Sequence, residues 1–576
     1  MKCQLCGHDN PLGVKFCSKC GGGLAAVQPD QGVPHTTQPV APYAPPQGGQ
    51  HAQGQGAQYA PAAQGKTGGL LDSIKALPLK KILMIAIPVV VVIIAAIIVI
   101  PLLVGPSSNT VSDSLIFFSD RDQVIVSGNN NNSFTLDGAY RSVQRSIDGS
   151  KAAVLTDYQS DSGGTLWFVT TRNSVKIADD VLAFVLADSG NGVAFLTDHD
   201  TRNDVATLYL HNTSNGRSTL ITQEAMYFGH GEIEGIAISP NGRTVTFISD
   251  FDERDNEFFG YIKDGNRAPE RLGRNEFAIA VSNGGRHLYY VRVTEDGDMS
   301  LHVRSGRNEQ RLIGDMGWGI RLMLNRDYSQ VIFNHDGRAN ISRNGGERER
   351  IGNQAIRSIL VPQGTQVRSV PGNAVSTTVY GLRSLTPSVV VTEDGLVHVN
   401  NRMETNRVSS SSDYPFSAVI SNNGRTLLFI NNNNHLSTID PTRPGAERRE
   451  VGRNVRSFVA CSDARTVYFV NEDQELFHVR GTGNPSKVSD DVASFSLEMQ
   501  WGSRRAFFIV DHGSRGGELF ASNNGGRRSR VAGGDDVVGI MVTATSVFYA
   551  NNDDEVFRSN GNERFTRFEE DVGIVG

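Results

Sequence analysis

The stretch Ile238-Ser239-Pro240-Asn241-Gly242-Arg243-Thr244-Val245-Thr246-Phe247 sets the end of an apolar strand before a tight Asn-Gly turn and a second strand after it. Asn and Gly tolerate the positive φ that such a turn requires, and the residues after it alternate as a half-buried strand does. The pattern returns at Ile420-Ser421-Asn422-Asn423-Gly424-Arg425-Thr426-Leu427-Leu428-Phe429 and at Val281-Ser282-Asn283-Gly284-Gly285-Arg286-His287-Leu288-Tyr289-Tyr290. Weaker copies surround Ser146-Ile147-Asp148-Gly149, Asn325-Arg326-Asp327 and Ser462-Asp463-Ala464-Arg465.

Working outward, two further strands follow each pair, as in Thr165-Leu166-Trp167-Phe168-Val169 and Val175-Lys176-Ile177. Four short strands in roughly forty residues is the pattern of a propeller blade. Counting turns over 111–576, with one inferred where the rhythm fades near 356–386, gives about ten units. The closing residues Asp571-Val572-Gly573-Ile574-Val575 read as the opening of a unit, like Asp491-Val492-Ala493-Ser494-Phe495. Leu115–Ser119 and Gln123–Ser127 read as the middle of one. Together they predict a composite blade, about the eleventh, that removes an open sheet edge. Propellers typically have about four to eight blades, so two rings are expected, 111–355 and 356–576, with a single large ring as the alternative.

The string from Ile238 to Asp250 resembles the repeat of TolB-like, WD-like propellers, in which a Ser-Pro-Asp-Gly-Lys turn precedes a strand ending in Ser-Asp. Ser119-Asp120-Arg121-Asp122, Thr197-Asp198-His199-Asp200 and Ser249-Asp250-Phe251-Asp252 fit that strand end. The resemblance spans most of 111–576, is strong in three or four copies, and implies a propeller without fixing its activity.

The N-terminal part is different. Cys3-x-x-Cys6 and Cys17-x-x-Cys20 are separated by ten residues, and a glycine follows each pair, Gly7 and Gly21. Two such knuckles offer four thiolates to one tetrahedral metal, read here as one structural Zn2+, with iron as the rival. Four thiolates leave no open position, so catalysis at this metal is not expected, and His8 is read as a bystander. Residues 1–24 look like the short zinc ribbons at the N-termini of many bacterial membrane proteins, which implies a metal-folded interaction module.

Residues 25–69 are rich in Pro, Gln and Gly and read as a disordered tether. Residues 70–81 place Leu70, Ile74 and Leu77 on one helical face, a juxtamembrane amphipathic segment. Residues 82–104, ILMIAIPVVVVIIAAIIVIPLLV, carry no charge. At about 1.5 Å per residue they suffice to cross a hydrocarbon core of roughly 30 Å. Lys75, Lys80 and Lys81 flank the N-terminal side, while the next charge after Val104 is Asp113. The positive-inside rule then predicts a plasma-membrane protein with a cytoplasmic N-terminus and an extracytoplasmic C-terminal domain. Cysteine usage agrees, because only Cys461 of the five lies beyond the span.

The fold class expected is therefore mainly β: a small zinc ribbon, one transmembrane helix and a C-terminal β-propeller region. A net charge of −6 provides no overall basic field for nucleic acid. Asp198, Asp200 and Asp204, or Asp250, Asp252 and Asp255, could be calcium loops but match hairpin chemistry better. Cys461 occupies the position of Ser239, Ser282 and Ser421, which predicts a small buried residue. No Gly-x-Ser-x-Gly or His-Glu-x-x-His motif occurs, and Ser162 stands where a sialidase Asp-box would carry Asp. Arginine-rich turns at Gly346–Arg350 and Asn524–Arg528 read as solvated surface. No catalytic residue is assigned. The expected role is a membrane-anchored binding, scaffold or sensor protein for an envelope protein, peptide or glycan, with a possible cytoplasmic partner at the ribbon. An extracytoplasmic hydrolase or lyase is the alternative.

Overall fold

The structure, a computed structural model, describes residues 115–576 except 120–121, 128–132, 161, 228–234, 253–256, 317–319, 363–364, 366, 371–374, 394, 410–416, 501, 532–535, 544–545, 554, 560–564, 571–572 and 576. The ribbon at 1–24, the tether, the juxtamembrane segment and the span at 82–104 lie outside the described residues. Among the described residues no helix is long and apolar enough to cross a membrane.

The repeats form antiparallel sheets, most of them four-stranded. An eight-stranded sheet resolves into two four-stranded groups joined only at Gly517↔Val537, which makes eleven blades among the described residues. Blade 1 combines Ile116–Ser119, Gln123–Ser127 and Ser133–Asp137 with the C-terminal strand Gly573–Val575. Blades 2 to 6 begin at Tyr140, Ala183, Ala237, Glu276 and Ile320, and blades 7 to 11 at Ile356, Ser417, Val455, Glu498 and Val537. This is a β-propeller arrangement, nearly all β.

The composite blade forms as the sequence predicts. Phe117 pairs with Val575, Phe118 with Ile574 and Ser119 with Gly573, so the end of the chain supplies the strand that opens every other blade. The seam beside it is aromatic. Phe118 is fully buried, with its ring centroid 5.6 Å from Phe548 and 5.2 Å from Phe568 of blade 11. Apolar clusters link each blade to the next: Leu115 and Val124 reach Val154 of blade 2, and Ile332 and Ile341 of blade 6 reach Ile356 and Val390 of blade 7. The position expected to divide two rings, 355/356, falls between blades 6 and 7, and this cluster crosses it.

The fading of the repeat near 356–386 has a structural cause. Ile356–Leu360 opens blade 7, but its pairing partner is Ser388–Thr392. Between them a hairpin, Val367–Val370 with Val375–Tyr380, is inserted and extends blade 6 by parallel pairing of Val375–Val379 with Ile320–Leu324.

The recurrent turn works through one hydrogen-bond device. Ser239 Oγ accepts the Thr244 N–H at 3.0 Å and donates to Asn241 Oδ1 at 2.8 Å, while Asn241 Oδ1 also accepts the Arg243 N–H. Ser421, Asn423 and Thr426 repeat it, as do Ser146, Asp148 and Lys151. Each turn bends back at a left-handed residue, Gly242 (φ 75°) or Gly424 (φ 71°). A Cβ on Gly242 would lie 2.5 Å from the backbone nitrogen of Gly192 in blade 3, so this glycine also permits close blade packing.

Cys461 enters the same device. Its Sγ accepts the Thr466 N–H at 3.1 Å and donates to Asp463 Oδ1 at 2.7 Å. Burial and the Asp463 carboxylate push its thiol pKa up, which disfavours the reactive thiolate. Cys461→Ser should therefore change stability by less than about 1 kcal/mol, whereas Cys461→Ala should cost about 1–3 kcal/mol by stranding a buried N–H. Urea unfolding of the two variants measures the difference.

Buried histidines give the propeller an acid limit. His211, His287, His302, His398 and His478 are buried, and desolvation lowers each pKa below its ordinary 6.5. Asp327, Glu309 and Asp440 act in the opposite direction on His287, His302 and His398, but burial wins. The unfolded chain then binds protons that the folded chain refuses. The stability these residues contribute is complete above about pH 6.5 and declines as pH falls through the depressed folded values. Melting temperature should fall from pH 7 to pH 5, and His302→Gln should reduce that slope.

Candidate functional site

A cavity lies where blade 2, blade 3 and the inserted hairpin meet. Its volume is about 510 Å³, with walls from Arg141–Ser146, Leu155, Tyr158, Leu182–Phe184 and Val367–Ser369. The first strands of two blades bring Gln144, Arg145 and Phe184 there. The hairpin brings Arg368.

One side of the cavity is locked. Arg368 and Asp188 have side chains only 9% and 5% exposed, and Arg368 Nη1 donates to Asp188 Oδ1 at 2.6 Å. Arg368 Nη2 donates to Gln144 Oε1 at 3.1 Å, and Gln144 Oε1 accepts the Leu186 N–H while its Nε2 donates to the Phe184 carbonyl. Tyr328 Oη donates to Asp188 Oδ2 at 2.9 Å. Four elements are joined in this way: blade 2 by Gln144, blade 3 by Asp188, blade 6 by Tyr328 and the hairpin by Arg368. Tyr328 has φ 61°, an unusual conformation for a bulky residue, at the turn position that Gly242 and Gly424 fill elsewhere. Burial and the Asp188 carboxylate hold its hydroxyl far into the protonated state.

Two further arginines belong to its walls and leave opposite faces of the strand Tyr140–Arg145. The Arg141 guanidinium lies 4.8 Å from the Tyr158 ring centroid, and that of Arg145 lies 5.2 Å from the Phe117 centroid. Arg145 Nε is sealed from solvent and has no hydrogen-bond partner among the described residues. Desolvation lowers the Arg145 pKa, offset in part by Tyr140. Burial, then the neighbouring Tyr227, pushes the Tyr158 hydroxyl up to about 12, so it stays a donor. Among the described residues no carboxylate lines this cavity.

Few of the residues that the sequence singles out meet here. Cys3, Cys6, Cys17 and Cys20 lie outside the described residues. Asp198 (φ 54°) and Asp250 (φ 56°) occupy left-handed strand-end positions. Asp198 accepts from Thr197 and Asp250 from Tyr261, while Asp200 accepts the Arg202 N–H and Asn203 Nδ2. These are contacts within turns and across hairpin strands, and among the described residues no group of three metal-ligating side chains gathers. Asp255 lies outside the described residues. The arginines of the surface turns also tie blades: Arg348 donates to the Leu312 carbonyl and Arg528 to Ser489 Oγ.

Asp188, Arg368, Arg145 and Tyr328 are not among the residues that sequence reasoning picks out. The available signal is the alternation Val367-Arg368-Ser369-Val370 inside the stretch that breaks the repeat.

No family description matches the chain, and no curated protein matches it in sequence. Among solved structures, a eukaryotic initiation factor aligns at 12% identity over 66% of this chain and 97% of its own, with a TM-score of 0.37. A TolB from Agrobacterium tumefaciens aligns at 16% identity over 40% and 88%, with a TM-score of 0.26. The β-propeller domain of the Trilobed protease from Pyrococcus furiosus aligns at 12% identity over 52% and 97%, with a TM-score of 0.29. At these scores the likenesses add nothing to what strand pairing and blade packing establish, which is a β-propeller.

Proposed function

We propose that the chain is a single-pass membrane protein whose exported propeller binds an envelope protein, peptide or glycan. One structural zinc on Cys3, Cys6, Cys17 and Cys20 closes a cytoplasmic ribbon that engages a partner inside. The span at 82–104, with lysines on its N-terminal flank and the thiolates before it, supports the plasma-membrane placement. The observation that carries the binding reading is the cavity between blades 2 and 3 and the hairpin. It is concave, mixes polar and apolar walls, and is held by the Asp188–Arg368–Tyr328 lock, as a preformed ligand site should be.

Photo-crosslinkers at Ser142 and Ser369 of the full-length protein in its native membrane test this reading. Capture of an envelope component at both positions, with capture at Ser369 disappearing in the cavity-filling Ser142→Trp, is the expected result. Turnover of envelope glycan or peptide by the purified full-length protein, lost on changing one carboxylate, would favour the hydrolase or lyase reading instead. For the ribbon, metal analysis should return one zinc per chain, absent from Cys3→Ser/Cys6→Ser, and iron at that stoichiometry would replace the zinc assignment.

A further inference from the structure

Strand direction alternates through every blade, so the first-to-second and third-to-fourth connections gather at one face of the propeller and the remaining connections at the other. Backbone bonds between neighbouring blades tie the first-to-second turns together: the Ile147 N–H donates to the Asp188 carbonyl, Ser189 to Pro240 and Asn422 to Ser462. Charge divides along the same line. Among the described residues, the connections at this face contain sixteen arginines and eight carboxylates, and all sixteen arginines are exposed. The connections at the opposite face contain three arginines and fifteen carboxylates. The repeat itself supplies part of the excess, because Arg243, Arg286, Arg425 and Arg465 each follow the left-handed residue of a first-to-second turn. Five of the eight carboxylates answer local needs: Asp148, Asp327, Asp440 and Asp463 accept turn N–H groups, and Asp188 is buried against Arg368.

The chain enters the propeller at the arginine face, where the Leu115 N–H donates at 3.1 Å to the carbonyl of Gly149 in the blade 2 turn. Only residues 105–114 separate Leu115 from the proposed span, a reach of about 36 Å at most. A surface of anionic headgroups attracts each arginine held close to it, and such weak contributions sum over a whole face. We propose that the arginine face docks on anionic phospholipid headgroups of the membrane that holds the chain's own span, with the carboxylate face directed away from it. The inference rests on the single-pass, exported-propeller reading above and adds the orientation of the propeller. The guanidinium groups donate to headgroup phosphates, which their planar forks match. The same surface repels the carboxylate face, so both faces favour one orientation.

Energy transfer from a fluorophore on the full-length protein to an acceptor on lipid headgroups tests this in nanodiscs. The fluorophore is attached through a noncanonical amino acid at Asn422 on the arginine face or at Asp296 on the carboxylate face, both exposed. Discs of phosphatidylcholine alone are compared with discs that also contain phosphatidylglycerol. Transfer from Asn422 should exceed transfer from Asp296, rise with phosphatidylglycerol and fall again in high salt. Arg243→Gln/Arg286→Gln/Arg425→Gln should lower the docked-to-free ratio about 10-fold or more, while Arg515→Gln on the opposite face should not lower it. The substituted side chains are exposed, and thermal melts check that the variants fold. Greater transfer from Asp296, or a phosphatidylglycerol-dependent gain that the triple variant keeps in full, would overturn the docking. So would transfer from Asn422 that ignores phosphatidylglycerol, and binding of soluble polyglutamate through the same arginines would then assign the face to an acidic polymer. Retention of the chain in vesicles under alkaline carbonate leaves the anchor reading standing in those cases, whereas release would overturn the anchor and the docking together.

Discussion

Asp188→Ala is expected to destabilise the propeller by about 3–5 kcal/mol, because it leaves a buried guanidinium without its counter-charge. The Arg368 and Tyr328 donors that meet Asp188 would lose their shared acceptor. Removing both charges should be milder. Asp188→Leu/Arg368→Met replaces the pair by packed apolar groups, and such exchanges are often close to neutral. The double variant should therefore unfold at a higher urea concentration than Asp188→Ala. The far-ultraviolet dichroism midpoint reads the difference, and a loss below about 1 kcal/mol for Asp188→Ala would contradict the buried lock.

A second large effect is expected at the closure seam. Phe118 is fully buried against Phe548 and Phe568, rings contributed from the far end of the sequence. Phe118→Ala removes an aromatic side chain from a site that backbone pairing prevents from collapsing, at a cost of about 3–5 kcal/mol. The loss should be cooperative, since blade 1 contacts blade 2 through Val126 and Leu136 as well as blade 11 through Ile125. Phe118→Leu should recover roughly half of it, because volume matters more than ring chemistry there. Equal melting temperatures for Phe118→Ala and the parent chain would show that the two ends do not pack.

The legible and illegible parts of this molecule differ in range. The blade turns are legible because Asn241-Gly242 and Asn423-Gly424 encode their conformation within a few residues, through positive φ and Asx hydrogen bonds. The composite blade is legible because Gly573-Ile574-Val575 repeats a local pattern whose missing strands lie at Ile116–Ser119. Cys461 is legible by its repeat position, and the structure gives it the same hydrogen bonds as serine.

The site is not legible. Asp188 and Arg368 are 180 residues apart, and no periodicity couples a turn of blade 3 to a hairpin outside the repeat. In sequence, 356–386 is only a place where the pattern fails. In the fold, the insertion there carries the residue that fastens the cavity. Tyr328 gives no warning either, since a tyrosine in the glycine position of a turn is unfavourable locally and tolerated because its hydroxyl meets Asp188. The recurring third-strand histidines, in Leu301-His302-Val303, Val397-His398-Val399 and Phe477-His478-Val479, are present as a motif. They become informative only once burial is known.

The central claim is that the last strand of the chain completes the first blade. Hydrogen exchange of the full-length protein against a chain ending at Glu570 tests it most directly. Alternate amides of Phe117–Ser119 should point toward Gly573–Val575, so peptides covering 115–119 should be strongly protected in the full chain and exchange much faster in the shortened one. Peptides covering His287–Val293 of blade 5 should change far less. Identical protection of 115–119 in both chains would contradict the closure.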